Sequence, residues 1–367
     1  MEKSRENRIY RAIGLMSGTA MDGIDAAMIE TDGNTYTKSL GFASIEHADN
    51  LREKLKCQLN KPHFDKDVER EFTCAQIPVI ESLLDKTNMS VGDIDIIGFH
   101  GQTTHHDPDK GITIQMGDGE LLSSETKIDV VYDFRKNDMK FGGQGAPFLP
   151  IYHRALSNNA NLKLPVIILN LGGVGNITWI SGDDMVGFDT GPANAMIDDW
   201  VQKNTNKKYD DGGVIASKGR VKQDLLGSFL SSSYFLKKYP KSLDRNDFNG
   251  LPMAGLSLED GVATLAEITV QSVKRGVDLC PQKPNEIFVT GGGRHNNFIM
   301  NRLGDVMDCP IKPVDGLGWD GDAMEAEGFA YMAVRSLLGL PISFPNTTGC
   351  EKPVTGGVFV GSRKQVA

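Results

Sequence analysis

The chain has no long apolar run. Its most apolar stretch, Leu164–Leu171, falls far short of the ~20 residues that a membrane-spanning helix needs. The opening residues, Met1–Arg8, are charged and hold no apolar signal core, so the expected location is the cytoplasm and no membrane partner is expected. Cysteine is scarce. Cys57, Cys74, Cys280, Cys309 and Cys350 are odd in number, widely spaced and form no CxxC pair. That pattern excludes a disulfide framework or zinc ribbon and reads as reduced thiols. Positive charge is in short supply too, with 39 lysines and arginines against 48 acidic residues and a net charge of -9. Such a balance argues against a nucleic-acid groove or an anionic lipid surface as partner. A phosphate-bearing ligand has to be gripped locally, by glycine-rich backbone, helix ends and a metal ion.

What the chain does have is glycine-punctuated strand pairs. Its 367 residues suffice for roughly two domains. Residues 8–46 read as a β-meander, with strands Tyr10–Leu15, Ile24–Thr31 and about Thr35–Ile45. Between the first two lies Ser17-Gly18-Thr19-Ala20-Met21-Asp22-Gly23. Small residues let a turn bend tightly and approach a ligand closely. The amides there, with the hydroxyls of Ser17 and Thr19, are suited to facing an anion such as phosphate. The same theme returns at Pro165–Ile180, strand, Gly172-Gly173, strand. Two such hairpins about 150 positions apart point to a duplicated α/β domain.

Polar groups gather where these strands end. The strand Ile94–Phe99 runs into His100-Gly101-Gln102-Thr103, and open α/β folds bind ligands just past such edges. Gln102 is the expected substrate hydrogen-bond donor. His100, His105 and His106 lie close together, but no helical carboxylate–histidine spacing supports a metal there. Arg135 ends the strand Val130–Arg135 beside the bend Gly142-Gly143-Gln144-Gly145-Ala146-Pro147, and suits a carboxylate or phosphate. Asp189 follows another strand. Gly191 is read as the cap of the next helix and Pro192 as its first residue, which leaves the Asp189 carboxylate to project. Glu286–Thr290 reads as a strand that runs into Gly291-Gly292-Gly293 and a helix, an arrangement suited to a nucleotide's base or ribose. The last helix is expected over Asp322–Leu338. There Glu325 either completes a capping box with Asp322 or faces a ligand.

This order of strands, turns and carboxylate resembles the actin-like, sugar-kinase and Hsp70 ATPase fold. The resemblance narrows at Ser17–Asp25, His100–Thr103, Asp133–Arg135, Gly142–Pro147, Asn170–Asn176, Phe188–Pro192 and Thr290–Gly293, which look like the motif series of the anhydro-N-acetylmuramic acid kinase family. It implies duplicated ribonuclease-H-like α/β domains with a cleft between them, here expected at residues 1–135 plus 340–367 and 136–339. It implies ATP and Mg²⁺ as cofactors. Gly18, Thr19, Ala20, Met21, Asp22, Gly23, Ile24, Asp25, Asn170, Gly172, Gly173, Gly291, Gly292 and Gly293 would contact the nucleotide. Asp189 would be the catalytic base and, with Glu325, a metal ligand. Gln102, Arg135 and Glu325 would bind the substrate, with Arg135 taking its lactyl carboxylate. A homodimer is the family expectation. Two departures stand out. Ala20 replaces the usual serine, and Leu15-Met16 occupies the place where many superfamily members carry an aspartate. The alternatives are a kinase for another 1,6-anhydrosugar such as levoglucosan, and a nucleotide-gated binding ATPase of the same fold.

Overall fold

The computed structural model describes residues 8–18, 21–243, 248 and 251–362. The chain divides into two compact units, Met1–Asn161 with Ala323–Ala367, and Leu162–Asp322. These boundaries differ from the expected 135/136 and 339/340. The late helix is the reason, since it is part of the first unit's core.

In the first unit, β1 (Tyr10–Met16), β2 (Gly23–Thr31) and β3 (Thr37–Glu46) form an antiparallel meander. β4 (Ile96–Phe99) then pairs parallel with β1. A ribbon of β5 (Gln102–Asp107) and β6 (Ile112–Met116) precedes β7 (Val130–Tyr132), which lies parallel to β4. The last strand, Val358–Val360, closes the sheet beyond β7. Side chains alternate across the sheet. On one face Ile13, Leu15, Ile97 and Phe99 pack with Phe72, Val79 and Leu83 of the helices Lys66–Cys74 and Gln76–Thr87. On the other lies the helix Met324–Leu337. Gly14 and Gly98 stand side by side in the β1–β4 register. A Cβ on Gly14 would lie 1.8 Å from the Ala326 carbonyl oxygen, and one on Gly98 would lie 2.1 Å from that of Phe329. Only glycine permits this approach.

The same helix buries polar groups that bond to other elements of the unit. Tyr152 Oη donates to Glu327 Oε2 at 2.8 Å, and Arg335 Nη1 donates to the Gly33 carbonyl at 2.7 Å. Tyr152 comes from the helix Pro150–Asn159, an element the sequence pattern did not disclose.

The second unit repeats the plan. β8 (Val166–Leu171), β9 (Val174–Ser181) and β10 (Asp184–Pro192) form the meander. β11 (Glu286–Thr290) pairs parallel with β8, and β12 (Ile311–Pro313) pairs parallel with β11. Counted from the meander, both sheets run 3-2-1-4-5, so the chain is a pair of ribonuclease-H-like α/β domains. Ile167, Leu169 and Leu171 pack with Val262, Leu265 and Ala266 of the helix Leu258–Asp278. Burial of each such aliphatic side chain contributes about 1.5–3 kcal/mol.

Candidate active site

The first unit's turn leaves β1 at Met16. Thr19 and Ala20 lie outside the described residues. The Ser17 hydroxyl is buried and turned inward, not towards a ligand. Its oxygen lies 2.8 Å from Gln102 Oε1, 3.0 Å from the Gly23 carbonyl and 3.3 Å from His47 Nε2. Gln102 is 0% exposed, and its Nε2 donates to the Gly18 carbonyl at 3.2 Å. The expected substrate donor therefore spends its amide on the turn, because β5 starts directly beneath it. Met21, at φ +53°, is buried and donates its N–H to the Gly18 carbonyl. The His47 N–H closes the turn on the Asp22 carbonyl at 2.9 Å. Burial holds the His47 imidazole below its ordinary pKa, against the pull of Asp22. Gly23, Ile24 and Asp25 belong to β2, where Ile24 is a core side chain. A Cβ on Gly18 would meet nothing within 4 Å, so this part of the turn is open to an approaching group.

Arg135 is not a strand end. β7 stops at Tyr132, and Arg135 opens the short helix Arg135–Lys140. Its Nε and Nη2 both point to His100 Nε2, at 3.1 and 2.8 Å, and its Nη1 donates to the Gly145 carbonyl. The bend that carries Gly145 is held by the buried Asp138, which accepts from the Gly145 N–H at 2.7 Å and from Thr348 Oγ1 at 2.6 Å.

In the second unit Asp189 lies within β10, opposite Asn176, just before a register irregularity that ends at Gly191. Pro192 is the last strand residue, and the helix begins at Asn194 with Ala193 as its cap. The expected Gly191 cap is therefore replaced by a bulge. The first amides of that helix do not face an anion either. Ala193 and Ala195 donate to the Gly173 carbonyl, and Asn194 donates to that of Gly172. Asp189 is clamped by the segment after Tyr239-Pro240. Its N–H donates to the Lys241 carbonyl at 3.0 Å, and Oδ2 accepts from the Leu243 N–H at 2.8 Å. The Tyr234 hydroxyl donates to the Asp189 carbonyl. Lys241 is buried, with Nζ 4.4 Å from the Tyr234 ring centroid and 5.6 Å from that of Phe188. Burial pulls its pKa down to about 8, and the Asp189 charge opposes that shift. The sequence showed this stretch only as polar, and no residue-type signal distinguishes a buried lysine from an exposed one.

The glycine triplet meets the second turn. Gly291 has φ +76°, and a Cβ there would lie 2.3 Å from Asn170 Oδ1. A Cβ on Gly293 would lie 2.5 Å from Leu171 Cβ. Gly292 opens a 3-10 turn, Gly292–His295, and the α-helix follows only at Asn297. Arg294, buried in that turn, donates to Asp315 Oδ2 at 3.0 Å and Asp322 Oδ1 at 2.7 Å. Asp322 is thus drawn away from the expected capping box. The late helix starts at Met324 with Ala323 as its cap, and Glu325 lies half-buried in its first turn.

Residues 10–361 match the family described as anhydro-N-acetylmuramic acid kinase. The chain belongs to the anhydro-N-acetylmuramic acid kinase family. Curated members of the anhydro-N-acetylmuramic acid kinase family align with it almost end to end. The protein of that name from Zymomonas mobilis is 48% identical over 360 residues, covering 94% of this chain and 98% of the relative. The one from Rhizorhabdus wittichii is 46% identical, covering 95% and 98%. The one from Brucella canis is 41% identical, covering 96% and 99%.

The residues present fit, in kind, the nucleotide and Mg²⁺ that the sequence resemblance implies. Glycine turns without side chains suit a polyphosphate, and aspartate and glutamate oxygens suit Mg²⁺. Among the described residues no three His, Cys, Asp or Glu side chains gather as a metal-binding set.

Proposed function

We propose that this chain is an ATP-dependent kinase that opens 1,6-anhydro-N-acetylmuramic acid with water and phosphorylates O6. The products are N-acetylmuramate 6-phosphate and ADP, and the step belongs to the reuse of cell-wall peptidoglycan. The observation that carries this reading is the end-to-end match to relatives of that name, at up to 48% identity.

In this reading Asp189 is the base. O6 of the substrate is locked in the anhydro bridge and has no proton to lose. A water attacks C1 and gives its proton to the Asp189 carboxylate. The C1–O6 bond breaks, and O6 takes the γ-phosphoryl group as the bond from that phosphorus to the bridging oxygen of ADP breaks. Water attack opposite the leaving oxygen follows the geometry of an inverting glycosidase, with the phosphoryl group in place of the general acid. The clamp from Lys241 and Leu243 supports the role, since it fixes Asp189 by backbone and side chain together.

Gly18, Met21 and Asp22 with Thr19 and Ala20, and Asn170 with Gly172, Gly173 and Gly291–Gly293, are the proposed nucleotide contacts. Arg135 takes the lactyl carboxylate, and Glu325 binds substrate or metal. Gln102 acts through the turn it holds. Mg²⁺, when bound with the nucleotide to Asp189 or Glu325, neutralises phosphate charge. The enzyme works in the cytoplasm as a homodimer. No described helix is long and apolar enough to cross a membrane.

The test is ADP release from Mg-ATP with 1,6-anhydro-N-acetylmuramic acid, beside Asp189→Asn and a levoglucosan control. The expected result is release that requires the muramic sugar and falls at least about 10³-fold in the variant, as for loss of an essential base. Release without sugar, or undiminished in the variant, overturns the proposal. Equal turnover of levoglucosan transfers it to a broader anhydrosugar kinase.

A further inference from the structure

His100 is buried against Phe329, with ring centroids 4.5 Å apart, and its Nε2 receives two N–H groups of one guanidinium. An arginine only donates. Nε2 must therefore carry a lone pair, and the ring is the neutral tautomer protonated at Nδ1. Burial, and then the Arg135 charge, hold the His100 pKa well below its ordinary value, which agrees with that assignment. The other edge of the guanidinium is set by the Gly145 carbonyl. Gly145 is in turn fixed through Asp138 and Thr348, and the Gln144 N–H donates to the Thr348 carbonyl at 2.7 Å. The Phe148 ring lies 5.5 Å from the guanidinium carbon. A planar fork held on two edges and one face has a single orientation.

We infer that His100 is a positioning residue for substrate selection: its neutral Nε2, with the Asp138-anchored Gly145 carbonyl, fixes the plane in which Arg135 receives the substrate's carboxylate. This rests on the proposed contact between Arg135 and the lactyl group. The test compares kcat and KM for 1,6-anhydro-N-acetylmuramic acid with those for 1,6-anhydro-N-acetylglucosamine, which lacks the lactyl ether. The inhibition constant replaces KM if the second sugar turns over too slowly.

His100→Leu is expected to raise KM for the muramic sugar about tenfold. It should lower the preference for the carboxylated sugar by a similar factor and leave the KM for ATP within about twofold. His100→Gln, which restores an acceptor oxygen, recovers most of the preference. Thr348→Val, a milder change at the Asp138 anchor, lowers it about two- to threefold and keeps the inference open to refutation if His100→Leu does not fold.

Equal losses on both sugars, or an unchanged preference in folded His100→Leu or Thr348→Val, overturn the inference. Arg135→Leu separates the two ideas. If it abolishes the preference and the His100 variant does not, only the positioning role falls. If it leaves the preference unchanged, the Arg135 contact falls and the positioning role with it.

Discussion

The two glycine turns close equivalent strand pairs in equivalent sheets, yet they are held by different kinds of contact. The turn after β1 has backbone bonds from the Met21 and His47 amides but rests mainly on side chains, with Gln102, Ser17 and His47 packed beneath it. The turn after β8 rests mainly on backbone, because the amides of Ala193, Asn194 and Ala195 at the start of the next helix bond the Gly172 and Gly173 carbonyls. One side chain adds to this, with Asn194 Nδ2 donating to the Leu171 carbonyl at 2.8 Å. A turn held by side chains is specified by residue identity and is open to single substitutions. A turn held by backbone tolerates side-chain changes but depends on its glycines. Duplication of a fold thus need not duplicate the means that shape its sites.

Gly291→Ala should have the largest effect. It places a Cβ against Asn170 at positive φ, combining backbone strain with overpacking, for a loss of about 2–5 kcal/mol. Urea unfolding measures it, and a loss below about 1 kcal/mol would show that the second turn yields easily. Gln102→Leu comes next. It strips the first turn of both amide contacts, for about 1–3 kcal/mol, with the KM for ATP rising about tenfold. An unchanged KM would break the contrast between the turns.

Acid should find the first unit before the second, since the buried His47, His100 and His153, whose pKa values burial lowers, all lie in it. His153, buried in the helix Pro150–Asn159, has its pKa lowered from 6.5 to about 3. The unfolded chain therefore binds the extra proton first, and stability falls as pH drops from 6.5 towards 3. At pH 5.5 the loss from this group is about 1.4 kcal/mol. His153→Leu should flatten that limb of the stability profile, and an equally steep limb would rule out the assignment. Asn194→Ala is the smallest change, about 1 kcal/mol or less, because the backbone bonds of the second turn survive it. A melting curve displaced as far as that of Gln102→Leu would erase the distinction.

Much of the sheet architecture is legible in the sequence, since the strands are alternating or wholly apolar runs bounded by glycine. Glu286–Thr290 and the three-strand meander of residues 8–46 are of this kind. The β5–β6 ribbon is hidden because β5, from Gln102 to Asp107 with His105 and His106 among its residues, has no apolar side chain to alternate. Asp322 matched a capping box in sequence, but a buried arginine 28 positions earlier competes for its carboxylate. The clamp on Asp189 was unreadable because it joins residues 54 positions apart through a backbone amide, which has no sequence signature. Of the site, the glycine turns and Asp189 could be found from residue types in order. What supports each could not, because support depends on which side chains are buried together.

The bare strip that Gly14 and Gly98 leave on the first sheet has a consequence for the order of synthesis. The helix that fills it begins at residue 324, after the whole second unit has been made. On the ribosome the second unit can therefore mature while the first waits, half-assembled, with a glycine-lined trough facing water. Residues 324–337 complete a sheet that begins at residue 10.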